Sequence, residues 1–246
     1  MPPKMKFLLV LVVLAATSLA CATLLGEDPT PTSQPLPTNP PLPTETTAPP
    51  PTQPAPTQDT SLPPSNVLFQ DDFSNPESGW DRYDDSDGVT DYMNGAYMIG
   101  VYTDTYFYWA NPYRTFQDVV VEVDAELMTS EEDNQFGIIC RHADVDNWYV
   151  LVVSGDGYAS IRKRFLGGEL EYIADWEESE AINTGMAPNR LRAECVGNRL
   201  SLFVNGVLAV EAFDSDISTG DVGLLAGTFS ATQAEVLFDN FIVSSP

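Results

Sequence analysis

Arg190-Leu191-Arg192-Ala193-Glu194-Cys195-Val196-Gly197-Asn198-Arg199-Leu200-Ser201-Leu202-Phe203-Val204-Asn205-Gly206 carries two strands and two turns. Leu191, Ala193 and Cys195 alternate with Arg192 and Glu194. That period of two sends one set of side chains into a core and the other into water. Gly197-Asn198 and Asn205-Gly206 are dipeptides that tolerate the positive φ of tight hairpin turns. A third strand, Leu208–Phe213, follows the second turn, so the stretch predicts antiparallel strands joined by hairpins.

The same pattern recurs upstream and downstream. Strand signals cover Tyr97–Val101, Thr105–Ala110, Asp118–Leu127, Gln135–His142, Asn147–Ser154, Tyr158–Phe165, Val222–Ala226 and Glu235–Val243. No apolar run keeps helical spacing for long enough to count as a helix. So many strands between Asn66 and Pro246, a length that suits one domain, predict an all-β fold of two antiparallel sheets in a jelly-roll sandwich.

Two segments precede this domain. Lys4 and Lys6 stand before the apolar run Phe7–Ala20, which is too short to cross a hydrocarbon core of roughly 30 Å. A basic start, a short apolar stretch and small residues describe a secretory signal over residues 1–21. Ser18-Leu19-Ala20-Cys21 resembles the end of a bacterial lipoprotein signal. The resemblance implies lipidation of Cys21 and an extracytoplasmic protein anchored at the bacterial cell surface; ordinary cleavage after Ala20 or Ala22 is the alternative. Residues 22–65 are rich in Pro and Thr without any apolar period, so a disordered linker of polyproline character is expected there.

With 11 Lys+Arg against 36 Asp+Glu, the formal net charge of −25 removes the electrostatic term that nucleic-acid binding needs. It also argues against docking of the folded part on an anionic bilayer, leaving the N-terminal lipid as the membrane contact. Three Cys cannot complete a four-ligand zinc site, and one His makes any Ser-His-Asp triad depend on His142. A monomer without cofactor is expected, a structural Ca²⁺ excepted.

The quoted hairpin, the strand Gly220-Asp221-Val222-Gly223-Leu224 and the closing strand Phe238-Asp239-Asn240-Phe241-Ile242-Val243 carry a further resemblance. Together with Phe136-Gly137-Ile138-Ile139-Cys140-Arg141 and Asn147-Trp148-Tyr149, they resemble the concanavalin A-like lectin/glucanase superfamily, in its laminin-G-type and 3-keto-disaccharide-hydrolase-like domains. The resemblance implies a non-catalytic domain that binds a glycan or cell-surface polysaccharide. A sugar hydrolase, or an adhesion module with a protein partner, is the alternative. Fold of itself does not select among them.

Several residues are candidates for chemistry. Glu122, Asp124 and Glu126 alternate along one strand, and laminarinase-type hydrolases of this superfamily use Glu-x-Asp-x-Glu as nucleophile, helper and acid/base. The same alternation also arises when Val119, Val121, Val123, Ala125 and Leu127 simply face a core. His142, at a strand end, is a candidate base, and Arg141 beside it is a candidate ligand-binding group that also joins that hydrolase reading. Some jelly rolls hold Ca²⁺ where the terminal strands meet, which would involve Asp72 and Asp239.

For binding, a four-residue loop at Ala143–Asp146 and another at Ser154–Gly157 would set Tyr149 opposite Arg162. Tyr149, Tyr158, Ser160, Arg162 and Arg164 would then share a ligand face, with Ile139, Val150, Val152, Ala159 and Ile161 in the core. Tyr rings stack on sugars and guanidinium groups bind hydroxyls or carboxylates in pairs. The rival surface is the aromatic strand with Tyr106, Tyr108 and Trp109. Finally, with Cys21 committed to lipid in an exported protein, a Cys140–Cys195 disulfide is expected, two separate thiols being the alternative.

Overall fold

Alternation of apolar and polar residues yields fifteen strands and no helix among residues 66–246, which the computed structural model describes. The signal segment, Cys21 and the Pro/Thr linker lie outside the described residues. The first strands are β1 (Val67–Asp71), β2 (Tyr83–Asp84), β3 (Gly88–Met93), β4 (Ala96–Val101) and β5 (Phe107–Ala110). The middle of the domain holds β6 (Val119–Leu127), β7 (Asn134–Asp144), β8 (Asn147–Val153), β9 (Tyr158–Arg164) and β10 (Glu171–Glu178). The last are β11 (Asn189–Val196), β12 (Arg199–Val204), β13 (Val207–Phe213), β14 (Asp221–Thr228) and β15 (Ala234–Ser244).

They pair antiparallel into a nine-stranded sheet, ordered β13-β12-β11-β6-β15-β4-β3-β2 with β1 also on β15, and a six-stranded sheet, ordered β10-β9-β8-β7-β14-β5. Between the sheets lies one core. Val121, Val123, Ala193, Leu202 and Phe238 enter it from the larger sheet, and Ile138, Tyr149, Leu151, Ile161 and Leu224 from the smaller. The fold is the expected two-sheet sandwich, and all eleven strands read from the sequence are formed.

Four strands escaped that reading. β2 has only two residues. β10 is an edge strand whose bulges after Tyr172 and Ala174 break the period of two, and Glu171, Asp175, Glu177 and Glu178 dilute its apolar content. β1 and β3 are short and part-exposed, so their alternation is weak.

The disulfide between Cys140 and Cys195 is formed, and it joins β7 of one sheet to β11 of the other through the core. The hairpin register needs a correction. Cys140 does oppose Tyr149, but β8 and β9 pair Val153 with Ala159 and Leu151 with Ile161, one residue away from the expected alignment. The turn runs from Ser154, whose amide donates to the Tyr158 carbonyl, and Gly157 takes a φ of 100° within it. A slip of one residue exchanges faces. Tyr149 therefore lies fully buried in the main core, while Ile139, Val150 and Val152 occupy the opposite, outer face of the six-stranded sheet.

Candidate functional site

β5 ends the six-stranded sheet and β2 ends the nine-stranded one, and the seam between these two edges is a cleft of about 1010 Å³. Its walls are aromatic. Tyr83 from β2 and Tyr108 from β5 face each other at 5.5 Å between ring centroids, and Tyr106 meets Tyr108 edge-on at 5.3 Å. The Tyr83 and Tyr108 hydroxyls both donate to Asp85, at 2.6 and 3.0 Å. Only glycine at position 88 lets the Tyr108 ring lie against β3, because a Cβ there would overlap the ring. On the other side of β5, Trp109 stacks near Trp148 and beside His142, with centroids 6.4 Å apart in each case.

The polar groups of the cleft come from loops held by the same strands. Asp81 accepts the Asn111 backbone amide at 2.9 Å and the Tyr113 hydroxyl. The Asn111 side chain in turn donates to the Val222 carbonyl at 2.7 Å, crossing β14 where Gly223 leaves no Cβ in the way. Asp221 opposes His142 in the β14–β7 register. Its Oδ1 accepts the amides of Arg114 and Val222 at 2.9 and 2.8 Å. Despite those donors, burial pushes the Asp221 carboxyl up to about 6, and burial lowers His142. Both shifts favour the uncharged form. Among the described residues the His142 Nε2 is buried without a hydrogen-bond partner, so the cleft presents a carboxyl of raised pKa, an unsatisfied imidazole nitrogen and several rings.

This predicts a pH effect that one substitution isolates. A carboxyl held near 6 when folded, against a usual value near 4, favours folding below the lower value and loses that contribution as pH rises through the upper one. At 1.36 kcal/mol per tenfold change the whole effect would be under ~3 kcal/mol, and partial solvent screening lowers the expectation to about 1 kcal/mol. Asp221→Asn keeps an oxygen for both amides and cannot ionise. Its melting temperature should match wild type near pH 4 and exceed it near pH 7.5. Equal differences at both pH values would rule the assignment out.

A second hollow, of about 360 Å³, lies near the opposite end of the six-stranded sheet and is lined by Tyr158, Tyr172, Trp176 and Phe229 with Asp133 and Asp156.

The sequence candidates divide among these places. Trp109, Tyr106, Tyr108 and His142 come together in the large cleft. Tyr158 lines the second hollow. Arg162 and Arg164 share the outer face of the six-stranded sheet, as expected of β9, but Tyr149 does not join them. Arg141 is 2% exposed, and its guanidinium donates to the carbonyls of Gln117, Ile217, Cys195 and Gly197 and to Asp118, so it fastens strand ends and is not a ligand group.

Glu122, Asp124 and Glu126 do share a face, on the outside of the nine-stranded sheet and outside both hollows. There Arg190 bridges Asp124 at 3.1 Å and Glu122 at 4.0 Å. Asp72 is exposed and accepts the Ser74 hydroxyl at 2.6 Å, while Asp239 sits on β15 opposite Asp124. Among the described residues no group of three His, Cys, Asp or Glu side chains is placed to hold a metal ion.

Asp81, Tyr83, Asn111, Tyr113 and Asp221 were not singled out from the sequence. Their only signal was Asp221 within Gly220-Asp221-Val222-Gly223, because the cleft is assembled from segments that meet only through sheet order.

No family model matches the chain, and no curated protein matches it. Solved structures do. A protein of unknown function with galectin-like fold from Bacillus subtilis superposes with a TM-score of 0.53 at 13% identity, over 73% of this chain and 96% of that one. LamA from Zobellia galactanivorans, in complex with laminaritriose and laminaritetraose, gives a TM-score of 0.53 at 13% identity over 74% and 99%. The GlcNAcα1-4Gal-releasing endo-β-galactosidase from Clostridium perfringens gives 0.53 at 9% identity over 72% and 62%. At these identities the likeness establishes the fold alone: a two-sheet β-sandwich like that of the galectin-like structure.

Proposed function

We propose that this domain binds a glycan without turnover, in the cleft between β5 and β2, and presents that cleft at a bacterial cell surface from a lipid on Cys21 and the Pro/Thr stalk. The observation that carries the reading is the cleft itself. Its exposed rings Tyr83 and Tyr106 and half-buried Tyr108 and Trp109 surround the inward-facing polar groups Asp81, Asp221 and His142. Flat apolar rings cover the C–H faces of sugars, and a few fixed polar groups select hydroxyl orientation. That the superposed structures include one bound to laminari-oligosaccharides and one that releases a disaccharide from glycans supports the ligand class.

The second reading, a sugar hydrolase, is favoured by one observation. Asp221, its carboxyl pushed up to about 6 by burial, stands opposite His142 in the same cleft.

A glycan-array screen of the full chain, followed by assay for released reducing ends on each hit, separates the two. Saturable binding with no released product is expected, and product release would favour the hydrolase. On any hit, Tyr106→Ala and Trp109→Ala should each weaken binding by about 1–3 kcal/mol, from the apolar area one ring covers. Tyr106 is half-exposed and makes no side-chain hydrogen bond among the described residues, so its variant should fold normally. Wild-type affinity in both variants would remove the cleft from the ligand's path.

A further inference from the structure

Arg162 is 4% exposed on the outer face of the six-stranded sheet, in register with Val150 on β8 and Tyr172 on β10. Its guanidinium carbon lies 5.3 Å from the Trp176 ring centroid and 5.7 Å from that of Tyr172. Among the described residues the guanidinium makes one hydrogen bond, from Nη2 to the Gln135 side-chain oxygen, and its Nε–H is buried with no acceptor. Among the described residues it has no carboxylate within 4 Å. Every other Lys or Arg of the described residues does, except Arg114, which is exposed.

A guanidinium cannot shed its charge readily, and a buried charge without a counter-ion is costly to the fold. In a chain of formal net charge −25, leaving a buried cation without an acid is the least expected arrangement, since carboxylates outnumber cations by 36 to 11. Two residues along β9, Arg164 lies on the same face, and its Nε is likewise buried without a partner, although Asp146 stands 3.7 Å from the guanidinium. Unsatisfied N–H donors on one face, flanked by rings that border the second hollow, describe a receptor for acceptor oxygens that carry negative charge. The carboxylates of that hollow do not pair with the guanidinium: Asp156 accepts the Ser154 hydroxyl, and Asp133 accepts the Ser230 amide and hydroxyl.

We propose that Arg162, backed by Arg164 and bordered by Trp176 and Tyr172, is an anion subsite that takes the carboxylate or sulfate of an acidic sugar. This rests on the glycan reading and sharpens it: the ligand carries an acidic sugar, held at one local cation against the repulsion of a chain of formal net charge −25. Its charged group adds charge-assisted hydrogen bonds at Arg162 beside the Trp176 and Tyr172 rings.

The test measures binding of the full chain to polygalacturonate, dextran sulfate and neutral laminarin, and its melting temperature in sodium glucuronate, sodium sulfate and sodium chloride at equal ionic strength. Wild type should bind an acidic polymer more tightly than laminarin, and its melting temperature should rise from chloride to glucuronate or sulfate by more than that of Arg162→Met, since sulfate stabilises any fold by exclusion. Which polymer and which salt respond tells carboxylate from sulfate.

Arg162→Met should lose about 10- to 100-fold in affinity for the acidic polymer, the usual worth of charged hydrogen bonds. It should keep its laminarin affinity and, without ligand, melt no lower than wild type. A melting temperature several degrees lower would overturn the proposal, because the fold itself would then be using the charge. So would unchanged acidic binding in the variant, or a melting-temperature rise in glucuronate and sulfate that is the same in wild type and Arg162→Met. If laminarin binds and the acidic polymers do not, the subsite falls while the glycan reading stands; if nothing binds, both fall.

Discussion

Replacing Cys140 and Cys195 together by Ala is expected to cost the domain about 4 kcal/mol of unfolding free energy. The bridge closes a loop with a sequence separation of 55, which in the chain-entropy model removes that much conformational freedom from the unfolded chain. Its position makes the loss felt in the folded state as well. Both sulfurs lie in the fully buried core, on strands of different sheets, so the bridge fixes the spacing of the sandwich at one end. Arg141, next in sequence to Cys140, donates to the Cys195 and Gly197 carbonyls at the same end. That second fastening should keep the variant folded at room temperature. For a domain of this size the loss corresponds to roughly 8–16 °C in melting temperature. Thermal melts of wild type, of wild type in reductant and of the double variant check it. The variant and reduced wild type should coincide, and a melting temperature within ~2 °C of the oxidised protein in either would refute the ledger.

Much of the architecture was legible in the sequence because a one-sided strand announces its core face. β6 alternates Val121, Val123 and Ala125 with Glu122, Asp124 and Glu126, and β11 alternates Leu191, Ala193 and Cys195 with charged neighbours. In both, the apolar set is the buried set, which is also why Cys140 and Cys195 were legible as a pair.

β8 carries no such signal. Trp148, Val150 and Val152 occupy one face and Tyr149, Leu151 and Val153 the other, so both parities are apolar and composition cannot choose between them. Only the turn could have decided, and the turn between β8 and β9 is one residue longer than its Ser154-Gly155-Asp156-Gly157 string suggests. The large cleft was legible in part for a different reason. An aromatic run along the predicted strand Thr105–Ala110 cannot all face a core, which marked Tyr106, Tyr108 and Trp109. Asp81 and Asp221 sit far apart in sequence and are united by the pairing of β14 with β5 and β7, which no local pattern encodes.

Tyr149 supplies the sharpest test of that register. The sequence pattern placed its ring on a ligand face; the structure buries it completely, with the hydroxyl donating to Asp214 at 2.5 Å and accepting the Ile217 amide at 3.0 Å. Asp214 is in turn held by Lys163 at 2.6 Å, so the phenol anchors the β13–β14 connection to β8 and β9. Tyr149→Ala removes a large buried ring and leaves a cavity, a change that usually costs about 3–5 kcal/mol. The Ile217 amide would also lose its acceptor. Tyr149→Phe keeps the ring and strands only the hydroxyl's partners, which is worth about 1–3 kcal/mol. Melting temperatures should therefore fall in the order wild type, Tyr149→Phe, Tyr149→Ala, the last by ~6–20 °C. Any glycan affinity measured below the lower melting point should be unchanged. A Tyr149→Ala variant that melts like wild type and loses its glycan would mean that β8 presents the opposite face, and with it Val150 and Val152 would belong to the core.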